Sequence, residues 1–222
     1  MLILKPSLKY RFLQKFYTML YHSFAWGYDF ISWIVSAGRW QGWAKTILPL
    51  VEGRNFLEIG CGTGNLLLEL YQRGDRVIGL DESGHMLRIA KNTTLRKWGA
   101  SVAALVRARA ETLPLPDTCL DSVVATFPGE YIFRIDTLQS CRRVLVPGGR
   151  LIILLGVQFG GRSVIDIALR WLYAVTGQST PEKPALECGL DRLRECGFEG
   201  RMVMLNFQQD TLTAFVAENS LL

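Results

Sequence analysis

Three glycines, Gly60, Gly62 and Gly64, stand in the run Glu58-Ile59-Gly60-Cys61-Gly62-Thr63-Gly64, directly after the apolar stretch NFLEIG and directly before the helical pattern NLLLELYQRG. A loop of this kind between a strand and a helix lets the backbone approach a ligand that any Cβ would push away, and it points N–H groups at polar atoms of that ligand. Nucleotide-like ligands suit such a loop. The dinucleotide fingerprint spaces its glycines G-x-G-x-x-G. Here the third glycine comes one position early, and Asn65 stands where it is required, which disfavours a nicotinamide dinucleotide. Asp81 ends the next apolar run, RVIGLD. A carboxylate at a strand tip has two readings, acceptor for ribose hydroxyls or N-cap of the following helix. Cys61 reads as a small residue filling the turn, and His85 as a residue of a solvated helix face.

The elements that must position these groups follow from periodicity. Residues 55–60 and 76–81 read as strands, 65–74 and 85–98 as helices stopped by Gly74 and Gly99, and 101–107 and 121–126 as further strands buried on both faces. A helix is expected from about Ile135 to Val146, ended by Pro147-Gly148-Gly149, with a fifth strand over 150–155. Leu186–Cys196 reads as a helix stopped at Gly197, and RMVMLN and LTAFVA as an antiparallel pair around the polar QQDT. Strands alternating with helices imply a parallel sheet wound on both sides.

Taken in order, these motifs resemble those of class I S-adenosylmethionine-dependent methyltransferases. The Glu58–Gly64 loop resembles the family's first motif; Gly79-Leu80-Asp81-Glu82-Ser83-Gly84-His85-Met86 resembles the second, with Glu82 where an apolar residue is usual; Arg109-Ala110-Glu111 through Asp117 resembles the segment that reaches the adenine edge, with Arg109 where an aspartate is common; and Arg142–Leu151 resembles the junction into the fifth strand. The resemblance covers roughly residues 55 to 155. It implies a Rossmann-like α/β fold, with a seven-stranded, mostly parallel sheet, helices on both faces, the last strand antiparallel, and a helical N-terminal cap. The implied cofactor is S-adenosylmethionine, held by Glu58, Gly60, Cys61, Gly62, Gly64, Asp81, Met86, Ala110, Glu111 and Thr126. The expected division is a cap over 1–50 and a methyltransferase domain over 51–222, with a cap insertion at about 156–184.

Methyl transfer from a sulfonium is an in-line displacement, so a base is needed only when the acceptor carries a proton. Ligands in such sheets sit beyond the carboxyl ends of the strands, which brings forward Glu130 and Tyr131 after the fourth strand, and His22 from the cap, as candidate bases. Tyr131 also reads as the first buried residue of the next helix, and His22 as an ordinary interfacial histidine. TFPGEY lacks the Asn/Asp-Pro-Pro-aromatic motif of the nucleic-acid amino-methylating branch, which disfavours nucleic acid. Tyr28-Asp29, with Ser36, Gly38 and Trp43, faintly resembles the entry segment of ubiquinone and menaquinone C-methyltransferases. Both the cap and the insertion, with Phe159, Ile165, Leu169, Trp171, Leu172 and Tyr173, are apolar and aromatic, which suits a small, lipid-like acceptor such as a quinone precursor; these residues fit equally as helix-to-sheet core. A non-catalytic protein of the same fold, binding an adenosyl ligand or a protein partner, is the alternative.

Composition sets the outer limits. The 222 residues are 49% hydrophobic and 20% charged, enough for one sizeable core and unlike a disordered chain. The net charge of +5 sits entirely in the first 54 residues, where Lys5, Lys9, Arg11, Lys15, Arg39, Lys45 and Arg54 face only Asp29 and Glu52. That placement suits an interfacial or substrate-capping segment better than a nucleic-acid surface, and ordinary solvated lysines fit it as well. The five cysteines form no C-x-x-C pair and read as reduced thiols in the cytosol. The uncharged stretch from Phe16 to Tyr28 is about half the ~20 residues a spanning helix requires, so peripheral membrane contact is the most it implies.

Overall fold

The computed structural model describes residues 38–73, 76–98, 104–161, 166–167 and 183–220. The expected helices before residue 38, His22 and Tyr28-Asp29 among them, lie outside these residues, as does most of the insertion beyond 161.

Seven strands, β1 (Asn55–Ile59), β2 (Arg76–Asp81), β3 (Ala104–Arg107), β4 (Leu120–Thr126), β5 (Leu145–Gln158), β6 (Phe198–Phe207) and β7 (Asp210–Asn219), form one sheet in the order β3-β2-β1-β4-β5-β7-β6. The pairs from β3 through β5 are parallel. Only β7 runs against its neighbours, antiparallel to both β5 and β6. The chain steps outward from β1 to β2 and β3 and then returns to place β4 on the other side of β1. Between β1 and β4, therefore, two crossovers leave in opposite directions, and a crevice opens beyond the carboxyl ends of these strands.

Helices cover both faces because the strand residues alternate. Phe56, Val77, Val124, Ile152 and Leu154 pack on one face with Trp43 of α1 (Trp40–Lys45) and Leu66, Leu67 and Leu70 of α2 (Asn65–Tyr71); Leu87 of α3 (Gly84–Trp98) joins them. On the other face Leu57, Ile59, Val123, Ala125, Leu151, Ile153 and Phe215 pack against Leu138, Cys141 and Val144 of α4 (Ile135–Val144) and Leu193 of α5 (Lys183–Glu195). Each such large side chain, once out of water, stabilises the fold by about 1.5–3 kcal/mol. The part of the N-terminal segment that is described, α1 and the 3-10 turn Leu48–Leu50, contributes the fully buried Trp43 and Ile47 to the first core.

Several boundaries differ from expectation, among them two junctions. Helix α4 ends at Val144, and Leu145 is already extended (φ −76°, ψ 138°) and paired with Leu120; the proline ring at 147 disfavours helical backbone at Val146, and the sheet takes the released residues, so Pro147-Gly148-Gly149 lies inside a bulged β5. The β6–β7 connection shrinks to Gln208-Gln209, with Phe207 paired to Asp210 and Gln208 at φ +55°. Gly197 stops α5 at φ +81°, as its position predicts.

Candidate functional site

The loop after β1 extends the parallel pairing by one step, since the N–H groups of Gly60 and Cys61 both donate to the carbonyl of Leu80, at 2.8 and 3.0 Å. It then turns through three left-handed glycines, Gly60, Gly62 and Gly64, at φ +71°, +51° and +79°. Each has its own surroundings. A Cβ on Gly64 would lie 3.0 Å from that of Ala90, because α3 crosses over the start of α2; one on Gly60 would lie 3.2 Å from the Tyr131 hydroxyl; one on Gly62 would meet nothing within 4 Å. Open space thus faces the middle of the loop.

Asp81, at the β2 tip, accepts hydrogen bonds from the N–H groups of Gly62 (3.0 Å) and Ser83 (2.8 Å). The cap of α3 is Ser83, whose Oγ accepts from the N–H of Met86 at 3.3 Å, so the capping reading of Asp81 gives way to one in which it ties the glycine loop to the second strand. Glu58 lies beneath that loop, 3% exposed, and its Oε2 has no hydrogen-bond partner among the described residues. Burial, and then the nearby charge of Asp81, push the Glu58 pKa well up. Burial raises that of Asp81 too, with the N–H groups of Ser83 and Gly62 working against it. Among the described residues neither carboxylate is in an ion pair, so the site holds two acids in low dielectric and favours the protonated form of the more buried one. Burial, Glu58 and Asp81 together hold the Cys61 thiol protonated, which leaves it inert as a nucleophile.

A cavity of about 520 Å³ opens from this point, lined by Glu58, the glycine loop, Thr126 at the end of β4, Trp40 of α1, Lys45, Arg96 and Lys97. Beside Thr126, Phe127 adopts φ +47° while its N–H donates to the Leu154 carbonyl at 2.7 Å. A bulky residue in the left-handed region is strained, and such strain persists only where the surroundings impose it. Here the ring is held against Trp40 at 4.5 Å and Trp43 at 6.3 Å between centroids, with Phe159 beyond Trp43 at 5.7 Å. This aromatic wall is fixed from behind. Arg39 Nη1 donates to both carboxylate oxygens of Asp210 (2.9 and 3.1 Å) and Nη2 to Asp166 (2.7 Å), while the Trp43 indole N–H donates to Asp210 Oδ2 (3.0 Å).

The residues singled out from sequence divide into three groups. Glu58, Gly60, Cys61, Gly62 and Thr126 line the cavity, and the Tyr131 hydroxyl lies over Gly60. Asp81, Met86, Ala110 and Glu111 lie at the β2 and β3 tips; Met86 and Ala110 are buried, and the Glu111 carboxylate faces Arg109 at 3.6 Å and Arg134 at 3.7 Å. Glu130 is exposed at the first position of the 3-10 turn Glu130–Phe133, and His22 lies outside the described residues. Trp40, Phe127, Arg39 and Asp210 carry no motif. Of these, only Trp40 gives a sequence signal, as one of the aromatics of the N-terminal segment.

Residues 57–153 match the family model of a methyltransferase domain. The ubiquinone/menaquinone biosynthesis C-methyltransferase UbiE of Azotobacter vinelandii is 33% identical over 142 residues, which cover 61% of this chain and 56% of that protein. The demethylmenaquinone methyltransferase of Symbiobacterium thermophilum is 32% identical over 142 residues, covering 61% and 57%. This chain therefore spans somewhat more than half the length of the curated relatives it matches. Among solved structures, geranyl diphosphate C-methyltransferase from Streptomyces coelicolor aligns with a TM-score of 0.61 at 12% identity, over 80% of this chain and 78% of that one. A SAM-dependent methyltransferase from Aquifex aeolicus aligns at 0.56 and 21%, over 79% and 88%. At these identities the structures speak for the fold.

Proposed function

We propose that this chain, whose residues 57–153 match the family model of a methyltransferase domain, is a class I, S-adenosylmethionine-dependent methyltransferase that transfers a methyl group to a small, apolar or lipid-like acceptor, with a quinone precursor as the first candidate. The observation that carries the reading is the pairing of a glycine loop open at Gly62 with a buried carboxylate oxygen that has no hydrogen-bond partner among the described residues. Both features fit an adenosyl ligand with an amino-acid arm: the loop leaves the space a Cβ would fill, and Glu58 Oε2 offers an acceptor to a cationic group. The cofactor, when bound, supplies a methyl group activated on a sulfonium.

The chain's own residues align, desolvate and exclude water. Asp81 keeps two of its roughly four acceptor positions for the loop and Ser83, which leaves capacity for ribose hydroxyls. Ala110 and Glu111 are assigned to the adenine edge, with Met86 packed nearby. Trp40 and Thr126 line the cavity, with the Phe127 ring packed on Trp40, and offer a surface on which a flat, apolar acceptor would rest. Should the acceptor carry a proton, the Tyr131 hydroxyl is favoured over Glu130 as its acceptor, because it lies over Gly60 whereas Glu130 is exposed; His22 is the third candidate. The quinone reading draws support from the relatives named above. No helix among the described residues is long and apolar enough to cross a membrane, and a lipid-like acceptor would bring the basic, aromatic N-terminal segment to a membrane surface from the cytoplasmic side.

The test is a titration with S-adenosylmethionine, S-adenosylhomocysteine and NAD, followed by heat and by thermal stability, since a ligand of the native state raises stability by RT ln(1 + [L]/Kd). Adenosyl ligands are expected to bind and NAD not to bind. Label transfer from S-adenosylmethionine into an extracted demethylmenaquinone then tests the acceptor, and absence of transfer to quinone precursors alone would refute only that part.

A further inference from the structure

We propose that Glu58 gives up a proton to solvent when the amino-acid arm of an adenosyl ligand binds, so that occupation of the site by that arm is coupled to proton release. The inference rests on the methyltransferase reading above. The geometry is that of a carboxyl group in the middle of a sheet: on β1 Glu58 lies between Gly79 of β2 and Val124 of β4, neither of which offers a counter-charge, and its Oε2 is buried without a hydrogen-bond partner among the described residues while the residue lines the cavity.

The titratable groups near it come from the adjacent strand and loop. From the β2 tip comes Asp81, held by backbone N–H groups, and from the loop comes the Cys61 thiol; the Tyr131 hydroxyl of the 3-10 turn after β4 lies near Gly60, two residues along the chain. The cations of the same cavity are engaged elsewhere: Lys45 of α1 pairs with Glu69 at 2.6 Å, Lys97 of α3 donates to Asn65 at 3.4 Å, and Arg96 of α3 donates to the carbonyl of Asn92 at 3.3 Å. A second negative charge beside Asp81 in this setting is unfavourable, so Glu58 holds its proton in the free protein, in keeping with its raised pKa. The α-ammonium of an adenosyl ligand reverses that balance. It brings a cation to Glu58 itself, the O–H bond of Glu58 breaks, the proton leaves to buffer, and an ion pair with hydrogen bonds from the ammonium remains. An adenosyl ligand without an ammonium has no such effect.

The experiment is calorimetric titration of the whole chain with S-adenosylhomocysteine in buffers of different ionisation enthalpy, compared with 5′-methylthioadenosine, which keeps the adenosine and the thioether but has no amino-acid arm. Expected is release of close to one proton per site with S-adenosylhomocysteine and an affinity that rises about tenfold per pH unit while Glu58 is protonated. Methylthioadenosine should bind without proton release, and in Glu58→Gln S-adenosylhomocysteine should bind with neither release nor pH slope. The two-ligand comparison in the unaltered chain stands without the variant. Binding of S-adenosylhomocysteine without proton exchange, equal release with both ligands, or release that persists in Glu58→Gln overturns the proposal. Failure of both ligands to bind overturns the methyltransferase reading and this inference with it.

Discussion

Two buried carboxylates at the carboxyl edge of the sheet have opposite surroundings. Asp210, 1% exposed, accepts from Arg39 Nη1 on both oxygens and from the Trp43 indole N–H on Oδ2. Glu58, 3% exposed, has a bare oxygen, a second acid nearby and a cavity in front of it. Burying a charge is costly unless it is paired and hydrogen-bonded. The corner between α1, β5 and β7 meets that condition internally, whereas the loop region leaves it for something else to meet. The difference separates a region that satisfies its own parts from one that, in the reading proposed above, receives a ligand.

The largest expected effect comes from breaking the satisfied corner. Asp210→Ala removes the carboxylate that accepts from both the Arg39 guanidinium and the Trp43 indole N–H, and removal of one partner from a buried pair costs roughly 3–5 kcal/mol. Denaturant unfolding measures it, and S-adenosylhomocysteine affinity of the folded protein should be retained; unchanged stability would mean the corner is no firmer than the loop. Next, Asp81→Ala removes a charged acceptor from Gly62 and Ser83 and from any ribose. Charge-assisted bonds of this kind contribute about 1.5–3 kcal/mol, so S-adenosylhomocysteine should bind at least tenfold more weakly by calorimetry. Unchanged affinity sinks the ribose assignment. Smaller still is a contrast within the loop. Gly64→Ala is expected to cost about 2 kcal/mol of stability, from left-handed backbone and the close Ala90 methyl. Gly62→Ala should cost less stability and more ligand affinity, since its new methyl enters the open space. Equal unfolding and binding losses in the two variants would erase the distinction between framework and receiving surface.

The receiving region was legible in sequence and the corner was not, for a physical reason. Gly60, Gly62, Gly64, Glu58 and Asp81 are close along the chain, and their conformational needs leave a local pattern of residue types. Strands β1, β2 and β4 follow the expected boundaries to within a residue, because a strand buried on both faces is a continuous apolar run. Arg39 and Asp210, by contrast, stand 171 positions apart, and Asp210 sits in a polar QQDT that reads as a turn, whereas in the fold it pairs with Phe207 and opens β7. Phe127 likewise lies in TFPGEY, where nothing marks a positive φ. The aromatic wall is a product of that tertiary corner, so it emerges only with the fold. The α4–β5 junction was misplaced because pairing of Leu145 with Leu120 prevails over helix continuation.

The smallest effect is also the most direct comparison of the two carboxylates, and it needs no ligand. In the free protein burial, and then Asp81, raise the folded-state pKa of Glu58 above its value in the unfolded chain. Between those two values the native protein holds a proton that the unfolded chain has lost. The stability this group contributes is therefore fully present below the unfolded pKa and is lost as the pH rises through the folded one. Glu58→Gln, which cannot titrate, mimics the protonated form. Its unfolding free energy should match the parent within about 0.5 kcal/mol at mildly acidic pH, as for a substitution that removes no contact. As the pH rises the parent should fall behind the variant, and adding S-adenosylhomocysteine should close the gap because its ammonium supplies the missing partner. Paired denaturation series at several pH values read this out. If the parent instead gained on Glu58→Gln with rising pH, Glu58 would be ionised and partnered in the free protein, and the two buried acids would belong to the same class after all.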